Sequence, residues 1–493
     1  LLGPLAGVAV AAVVVFAPVV TYGFAYDDHW TVEHDPVLAG RLAPLLKWLF
    51  AGQAAHRGIP DATRPGMVAS LWLDRHVFGS DPAGYHLHSL LLYGVCSALA
   101  GLAVFSITRR LAAAVVGGLV FAVAPVHAEV VAAVNYREDL LSGVAVLGVV
   151  AWLFAPRHGN EPIDRAVLVA ALLVLGLLSK ESTVAVVPVA LAAMLARAEL
   201  RSWISVRRGP IACLLSGTAI WGVWRGWLRV AGRDDVPLAL VHRGMPERIL
   251  RTARYTVRVA LDGLFPVGWS PDYANEPNAS PWWLAAMAAL IVAIYALSRV
   301  PRGRLLAAGL AIAMVAGLPT SPLVSPINER ADRFAFLATL GGAIFWGVLG
   351  ARASRRIPRR FRIAVLGLVV LPLAIVARRA AAPWRSDAEL WSAAIERAPA
   401  SARAWTGLAR SLRLSGDLDG ADRAVERAIV LEPGSLRARV TRVYNLLARG
   451  DIARARAELE DIRRRGGARQ LGMRRAAQCA DGPASDAPRC VNM

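Results

Sequence analysis

The sequence predicts an all-α protein: a polytopic membrane helix bundle of about eleven spans followed by a short α-solenoid. Three observations lead there. Hydrophobic residues make up 56% of the 493, with a mean hydropathy of +0.45, too apolar for a soluble chain of this length. Apolar runs recur as far as residue 376. Beyond it the pattern turns to polar, amphipathic helix with an internal repeat.

The runs lie at 3–20, 87–107, 111–125, 140–154, 166–178, 183–196, 210–230, 282–297, 305–318, 334–349 and 363–376. Several fall short of the roughly 20 residues that a straight span needs, and the pair flanking "SKES" can be a hairpin that does not cross fully. Losing that pair leaves the downstream topology unchanged. The first run reads as a signal anchor, because so many further spans follow.

Orientation follows from arginine. Arg109 and Arg110; Arg157 and Arg165; Arg197, Arg201, Arg207 and Arg208; Arg299, Arg302 and Arg304; and the stretch Arg352 to Arg362 fall in alternate loops, which are therefore cytoplasmic. The opposite loops carry a mixed ionisable set: Asp27, Asp28, His29, Asp61, His127, Glu129, Arg137, Glu138, Asp139, Lys180, Glu181, Glu329, Arg330, Asp332 and Arg333. That face is extracytoplasmic, and the predicted location is the cytoplasmic (inner) membrane. The surplus of 56 basic over 36 acidic residues, a formal +20, thus belongs to loops and membrane lipids. With no aromatic-interleaved basic patch or zinc-finger spacing, nucleic acid is not an expected partner.

One segment stands apart. "RILRTARYTVRVALDGL", 248–264, sets Arg248, Arg251, Arg254 and Arg258 at helical spacing opposite Ile249, Val257, Ala260, Leu261 and Leu264. It is expected to lie flat in the interface, because counting it as a span would put Arg352 to Arg362 outside. Its arginines then meet lipid phosphates or help to hold a phosphate-bearing lipid substrate.

After residue 378 Pro399 and Pro433 stand 34 residues apart, the tetratricopeptide period. Trp405, Leu408, Leu412, Gly416, Ala421, Val425, Ala428 and Pro433 fill one unit, and Leu446, Gly450, Ala455, Leu459 and Ile462 the next. Small residues belong where paired helices approach closely, and proline ends the second helix. The repeats, 379–465, are predicted extracytoplasmic, either as a protein-binding solenoid or as a cap on the membrane domain. The tail, 466–493, reads as disordered. Cys479 and Cys490 can pair there; Cys96 and Cys213 read as small buried thiols, and no cysteine has metal-ligand spacing.

Ionisable groups at the rim of a span are costly and so point to function. Asp27 and Asp28 in "YDDHW" leave the first span together, and adjacent carboxylates raise each other's pKa, which favours one as a base near neutral pH. The bland alternative is a pair of solvated acids capping a helix exit. The loop after them, to Asp81, is too long for a mere connector.

The segments "FAYDDHWTVEHDPVL", "RPGMVASLWLDRHVFGSDPAGYHL", "FAVAPVHAEVVAAVNYREDLLS", "SKES" and "INERADRFAFLATLG" occur in that order ahead of the repeats. Together they resemble the transmembrane and tetratricopeptide-repeat O-mannosyltransferases of the GT-C superfamily of lipid-dependent glycosyltransferases. The resemblance covers nearly the whole chain except the tail. It implies a GT-C type domain over 1–378 with a catalytic first loop, 21–86, in which Asp27 or Asp28 takes the proton from a serine or threonine hydroxyl. That hydroxyl would attack the anomeric carbon of a polyprenyl-phosphate sugar, with inversion.

The leaving phosphate needs cations, and Arg64, Arg137, Lys180, Arg330 and Arg333 are available. Arg137 and Arg333 are preferred, since arginine keeps its charge beside apolar surface and grips phosphate with two donors. The family pattern adds His127, Glu129, Asp139, Glu181 and Asp332, with structural ion pairs as the competing reading for each; His86 and His88 serve as helix-end histidines as readily as ligands. Ser89, Tyr93 and "NYRED" depart from the family pattern and leave the sugar and acceptor open. No metal or other cofactor is expected; the sugar donor is a co-substrate, and a protein acceptor would dock on the repeats. The alternatives are a lipid or glycan acceptor, or a scaffold without catalysis in which the charged groups need not converge.

Overall fold

A computed structural model describes residues 1–35, 38–41, 64–156, 162–197, 200–230, 244–266, 268–273, 280–323, 330–465 and 473–482. All regular structure among them is helical. Asp61, Arg157, Glu329 and Cys490 lie outside the described residues. The chain divides into two compact units, Leu1–Trp269 with Pro277–Ala382, and Ser270–Glu276 with Pro383–Met493.

In the first unit the helices are α1 (Leu2–Phe16), α2 (Pro65–Phe78), α3 (Pro82–Thr108), α4 (Leu111–Ala122), α5 (Ala128–Ala132), α6 (Arg137–Leu153), α7 (Pro162–Ser179), α8 (Val186–Met194), α9 (Leu200–Ser205), α10 (Arg208–Val230), α11 (Met245–Leu264), α12 (Trp282–Arg299), α13 (Arg304–Val315), α14 (Thr339–Ala353) and α15 (Arg362–Ala381). Local chemistry sets their ends. Pro65 and Pro82 occupy first-turn positions where no N–H is missed. The Asp81 carboxylate accepts the Ala83 N–H at 3.0 Å to start α3, and Arg109, left-handed at φ 59°, stops it.

Leu2–Thr21, Pro82–Thr108, Trp282–Arg299 and Arg359–Arg385 are long and apolar enough to cross a membrane, and Leu111–Ala122 with Pro125–Ala132, bent by 53°, makes up to a fifth span. Glu181–Met194 and Arg304–Thr320 are shorter apolar helices. Among the described residues, length and composition therefore support four or five crossings, where the sequence shows eleven apolar runs. Side chains such as Ile363, 84% exposed, and Val223, 75%, suit a lipid surround.

Helix α6 runs through the interior with almost every residue buried, packed on α3 and α7. Its carboxyl end is wrapped by arginine. Arg109 donates to Phe154 O at 2.7 Å, Arg207 to Leu153 O at 2.7 Å, Arg165 to Pro156 O at 2.5 Å and Arg197 to Phe154 O at 3.4 Å. Cations there satisfy free carbonyls and complement the helix dipole. Arg64, Glu138, Asp139 and Lys180 meet at the other end of α6. Glycine permits the closest packing: Gly341 lies against Gly309 of α13, Gly342 against Gly263 of α11 and Gly347 against Ala113 of α4, places where a β-carbon would strike backbone.

Helix α11 packs on α12, α13 and α14 with residues of both its sides buried: Arg251 and Arg254 of the polar side, and Val257, Ala260 and Leu264 of the apolar side. Ile249 and Leu261, at 46% and 48%, are its exposed apolar residues.

The second unit holds α16 (Asp387–Arg397), α17 (Ala402–Leu414), α18 (Leu418–Leu431), α19 (Leu436–Ala448), α20 (Ile452–Arg464) and α21 (Met473–Asp481). Asp417 and Asp451, 34 residues apart, cap α18 and α20 through the N–H groups of Gly420 at 2.8 Å and Arg454 at 3.1 Å. Gly416 and Gly450, each just ahead of those caps, take φ 90° and 77°, which suits glycine. Ala409, Ala424 and Val425 pack with Trp405, Leu408 and Leu412; Val440, Val443, Leu447, Ala455, Leu459 and Ile462 form the next layer. That layer also buries Met473, Ala476, Cys479 and Ala480 of α21, so residues 473–481 are ordered helix where disorder was expected. The apolar face of this helix has a partner, which its arginine-rich flank hides from composition. Cys479 is disulfide-bonded, while Cys96 and Cys213 are free. The short segment from 270 joins this unit through Asp272, which accepts from Ser401 Oγ, the α17 cap, and pairs with Arg403.

Candidate active site

The chain leaves α1 through a 3₁₀ turn, Ala17–Thr21, then turns sharply at Tyr26, whose φ is 56°. A left-handed aromatic residue costs on the order of 1–3 kcal/mol and tends to mark a functional turn. It divides the paired acids. Asp28 is fully buried and Asp27 is partly exposed.

The Asp28 carboxylate accepts three backbone N–H groups, from Asn135 at 2.6 Å, Val134 at 3.2 Å and Ala25 at 3.4 Å. It thereby holds the 3₁₀ turn Val134–Tyr136 that leads into α6. Burial pushes its pKa up to about 7, against the opposing pull of the three N–H groups and His29. Its environment, more than the neighbouring carboxylate, is the cause, so the expected mutual shift of the pair takes another form. On the other side of the turn, the Asp27 carbonyl receives Thr31 Oγ1 at 3.0 Å and begins the π-helical turn His29–Glu33.

Around the amino end of α6 the charges interlock. Lys180 Nζ lies 2.5 Å from Asp139 and 3.0 Å from Glu138. Arg64 pairs with Glu138 and grips Glu181 with two donors, at 2.7 and 3.1 Å. Arg333 donates its backbone N–H to Glu129 at 2.9 Å, pairs with the same carboxylate through its side chain, and rests 4.3 Å above the centre of the Tyr136 ring. Arg330 bonds Asp262 of α11 at 3.2 and 3.3 Å. Asp332 is buried in the turn Asp332–Ala335. Arg333 acts electrostatically on Asp139 and Lys180, and Asp27 acts with Arg333 and Glu129 on the Tyr136 hydroxyl, so these groups form one neighbourhood.

Three predicted residues stand outside it. Arg137 is fully buried: it pairs with Asp74 and donates to Tyr85 O at 2.8 Å, Ser89 Oγ at 3.2 Å and Ser70 Oγ at 3.3 Å. Its guanidinium is thus engaged with four protein partners and has no exposed surface. His127 bridges the Tyr93 hydroxyl and Thr339 Oγ1, each at 2.9 Å, as a buried link between α3 and α14. His86 faces Gly23 O at 3.2 Å, a tie from α3 to the loop after α1. His88, the other histidine read as a helix-end residue, lies 2.7 Å from Asp74.

Tyr136 and Asp74 went unpredicted. Tyr136 sits inside "NYRED", and its short turn gives no periodic signal. Asp74 is hidden in a helix whose acid–base pairing spans 63 residues. Among the described residues no group of three His, Cys, Asp or Glu side chains is placed to hold a metal ion.

No family model and no solved structure matches the chain. Protein O-mannosyl-transferase F38B6.6 of Caenorhabditis elegans is 23% identical over 434 residues, 83% of this chain and 60% of that protein. Protein O-mannosyl-transferase Tmtc1 of Drosophila melanogaster is 34% identical over 191 residues, 37% of this chain and 22% of that protein. Protein O-mannosyl-transferase TMTC1 of Mus musculus is 30% identical over 126 residues, 24% of this chain and 13% of that protein. The chain therefore spans less than two thirds of the length of the curated relatives it matches. The ordered motifs of the sequence and these likenesses agree: the chain is similar to proteins named protein O-mannosyl-transferase, at moderate identity and over part of their length.

Proposed function

We propose that the protein transfers a sugar, mannose, from a polyprenyl-phosphate carrier to serine or threonine hydroxyls of proteins, on the extracytoplasmic face of the cytoplasmic membrane. The observation that carries this is the split of the paired acids: Asp28 is locked inside as an anchor, and Asp27 is left partly exposed and shares Tyr136 as a neighbour with Arg333. Asp27 is the base. It takes the proton as the hydroxyl oxygen attacks the anomeric carbon from the face opposite the phosphate, giving inversion. The bond from that carbon to the phosphate oxygen breaks, and its electron pair leaves with the lipid phosphate.

Arg333 meets that developing charge, with Arg330, Lys180 and Arg64 raising the local positive potential. A positioned base contributes roughly 10²–10⁴-fold, because a neutral hydroxyl is a weak nucleophile. The helix pairs of the second unit, with caps and glycines repeating at 34 residues, support tetratricopeptide repeats that dock the acceptor. A scaffold would leave Asp27 and Arg333 unrelated. Their shared neighbour Tyr136 favours the enzyme.

The test is transfer of radiolabelled mannose from polyprenyl-phosphate mannose to protein, in membranes containing wild type or Asp27→Asn at equal expression. Wild-type labelling that Asp27→Asn abolishes is expected. Full activity in the variant would rule out Asp27 as the base.

A further inference from the structure

Tyr136 is a core residue, 5% exposed, whose ring packs against a cation. The Arg333 side-chain carbon lies 4.3 Å from the centre of its ring, closer than to Phe334 at 5.0 Å. The ring face is electron-rich and attracts the guanidinium while leaving its hydrogen-bond donors for other partners. The hydroxyl lies within electrostatic reach of Asp27, Glu129, Arg333 and Tyr26. The backbone of the same turn is fixed through Val134 and Asn135, whose N–H groups end on Asp28.

One short turn thus touches each part of the site. Asp28 holds its backbone, the ring supports the cation, and the hydroxyl lies within electrostatic reach of the partly exposed acid. A tyrosine serving only as core would need none of these.

We propose that Tyr136 is a positioning residue for the transfer: its ring is the platform for Arg333, and its turn, hung from Asp28, keeps the base and the phosphate-binding cation in register. This rests on the transferase reading above. Lipid phosphate should therefore depend on the ring, and proton transfer on the hydroxyl.

The test uses the full chain in proteoliposomes, as wild type, Tyr136→Phe and Tyr136→Leu, with Tyr136→Met in place of the leucine variant if that one does not accumulate. Two readouts are taken: binding of polyprenyl phosphate without sugar, and the split of kcat from donor KM across pH. Tyr136→Leu is expected to weaken binding and raise donor KM by about tenfold. Tyr136→Phe keeps the platform, so its binding and KM stay within about twofold, while kcat falls and the acidic limb of its pH profile moves.

Equal binding by all three proteins overturns the platform, and an unchanged pH profile in Tyr136→Phe overturns the role of the hydroxyl. Wild type that binds polyprenyl phosphate but transfers no sugar sinks the transferase reading alone, and the binding comparison still decides the platform. Wild type that does not bind it at all sinks both.

Discussion

The carboxylate of Asp28 accepts the backbone N–H of Asn135 at 2.6 Å, joining two segments 107 residues apart. A group so buried is part of the frame. Two of its three donors belong to the turn that carries Tyr136.

Asp28→Ala leaves three buried N–H groups without their acceptor, at about 1–3 kcal/mol each. The variant should melt well below wild type in detergent and lose transfer as well, whereas Asp27→Asn should lose transfer and keep its melting temperature. Thermal unfolding followed alongside activity separates the two; equal melting of both variants would refute the anchor role.

Asp28 also predicts a pH dependence of stability. Its folded pKa, about 7, exceeds its ordinary value of 3.8. The folded state therefore binds the proton more tightly, and the stabilisation is fully present below pH 3.8 and lost as pH rises through about 7. The melting difference between wild type and Asp28→Asn, which cannot ionise, should shift in favour of the variant across that window. A difference that is flat with pH would mean Asp28 does not titrate there.

Arg137 and Asp74 are a buried pair, and breaking one costs roughly 3–5 kcal/mol. Arg137→Met should destabilise strongly, and Arg137→Met with Asp74→Leu should recover much of the loss. Donor KM of the folded double variant should stay near wild type. A tenfold rise in that KM would return Arg137 to the phosphate site.

Arg333→Lys keeps a charge but gives up the planar, two-donor guanidinium that stacks on Tyr136 and meets Glu129. Donor KM should rise by about tenfold with little change in melting. Unchanged donor kinetics would place the phosphate elsewhere.

Transfer should persist in excess chelator, because the charge on the leaving phosphate is assigned to arginine and lysine. Activity assayed with EDTA and with added magnesium or manganese decides this. Loss in chelator with recovery on metal would overturn the assignment.

What the sequence made legible was local. The 34-residue register of the second unit follows from residues a few turns apart, so Gly416, Gly450 and the alanines fall where periodicity puts them. The paired acids and the basic residues near α6 were visible as charges on apolar ends. Roles set by distant partners were not. Nothing near Arg137 in sequence announces Asp74, and nothing in "YDDHW" says that Tyr26 will turn left-handed and send one acid inward. Helix α11 shows the same limit: its periodicity gives two faces, yet Arg251 and Arg254 of one and Val257, Ala260 and Leu264 of the other are buried together by neighbours distant in sequence.

Asp272 and its partners Ser401 and Arg403 bear on modularity. The second unit includes residues made more than a hundred positions before its first helix, so it is not a cassette that can be cut out at residue 383 and grafted elsewhere. A fragment beginning there would expose the seat of Asp272 with its carboxylate missing. A ribosome must also hold that early segment in waiting until the cap of α17 has emerged. Gene truncation or fusion in this protein would have to respect both pieces, however naturally the repeats read as a separable block.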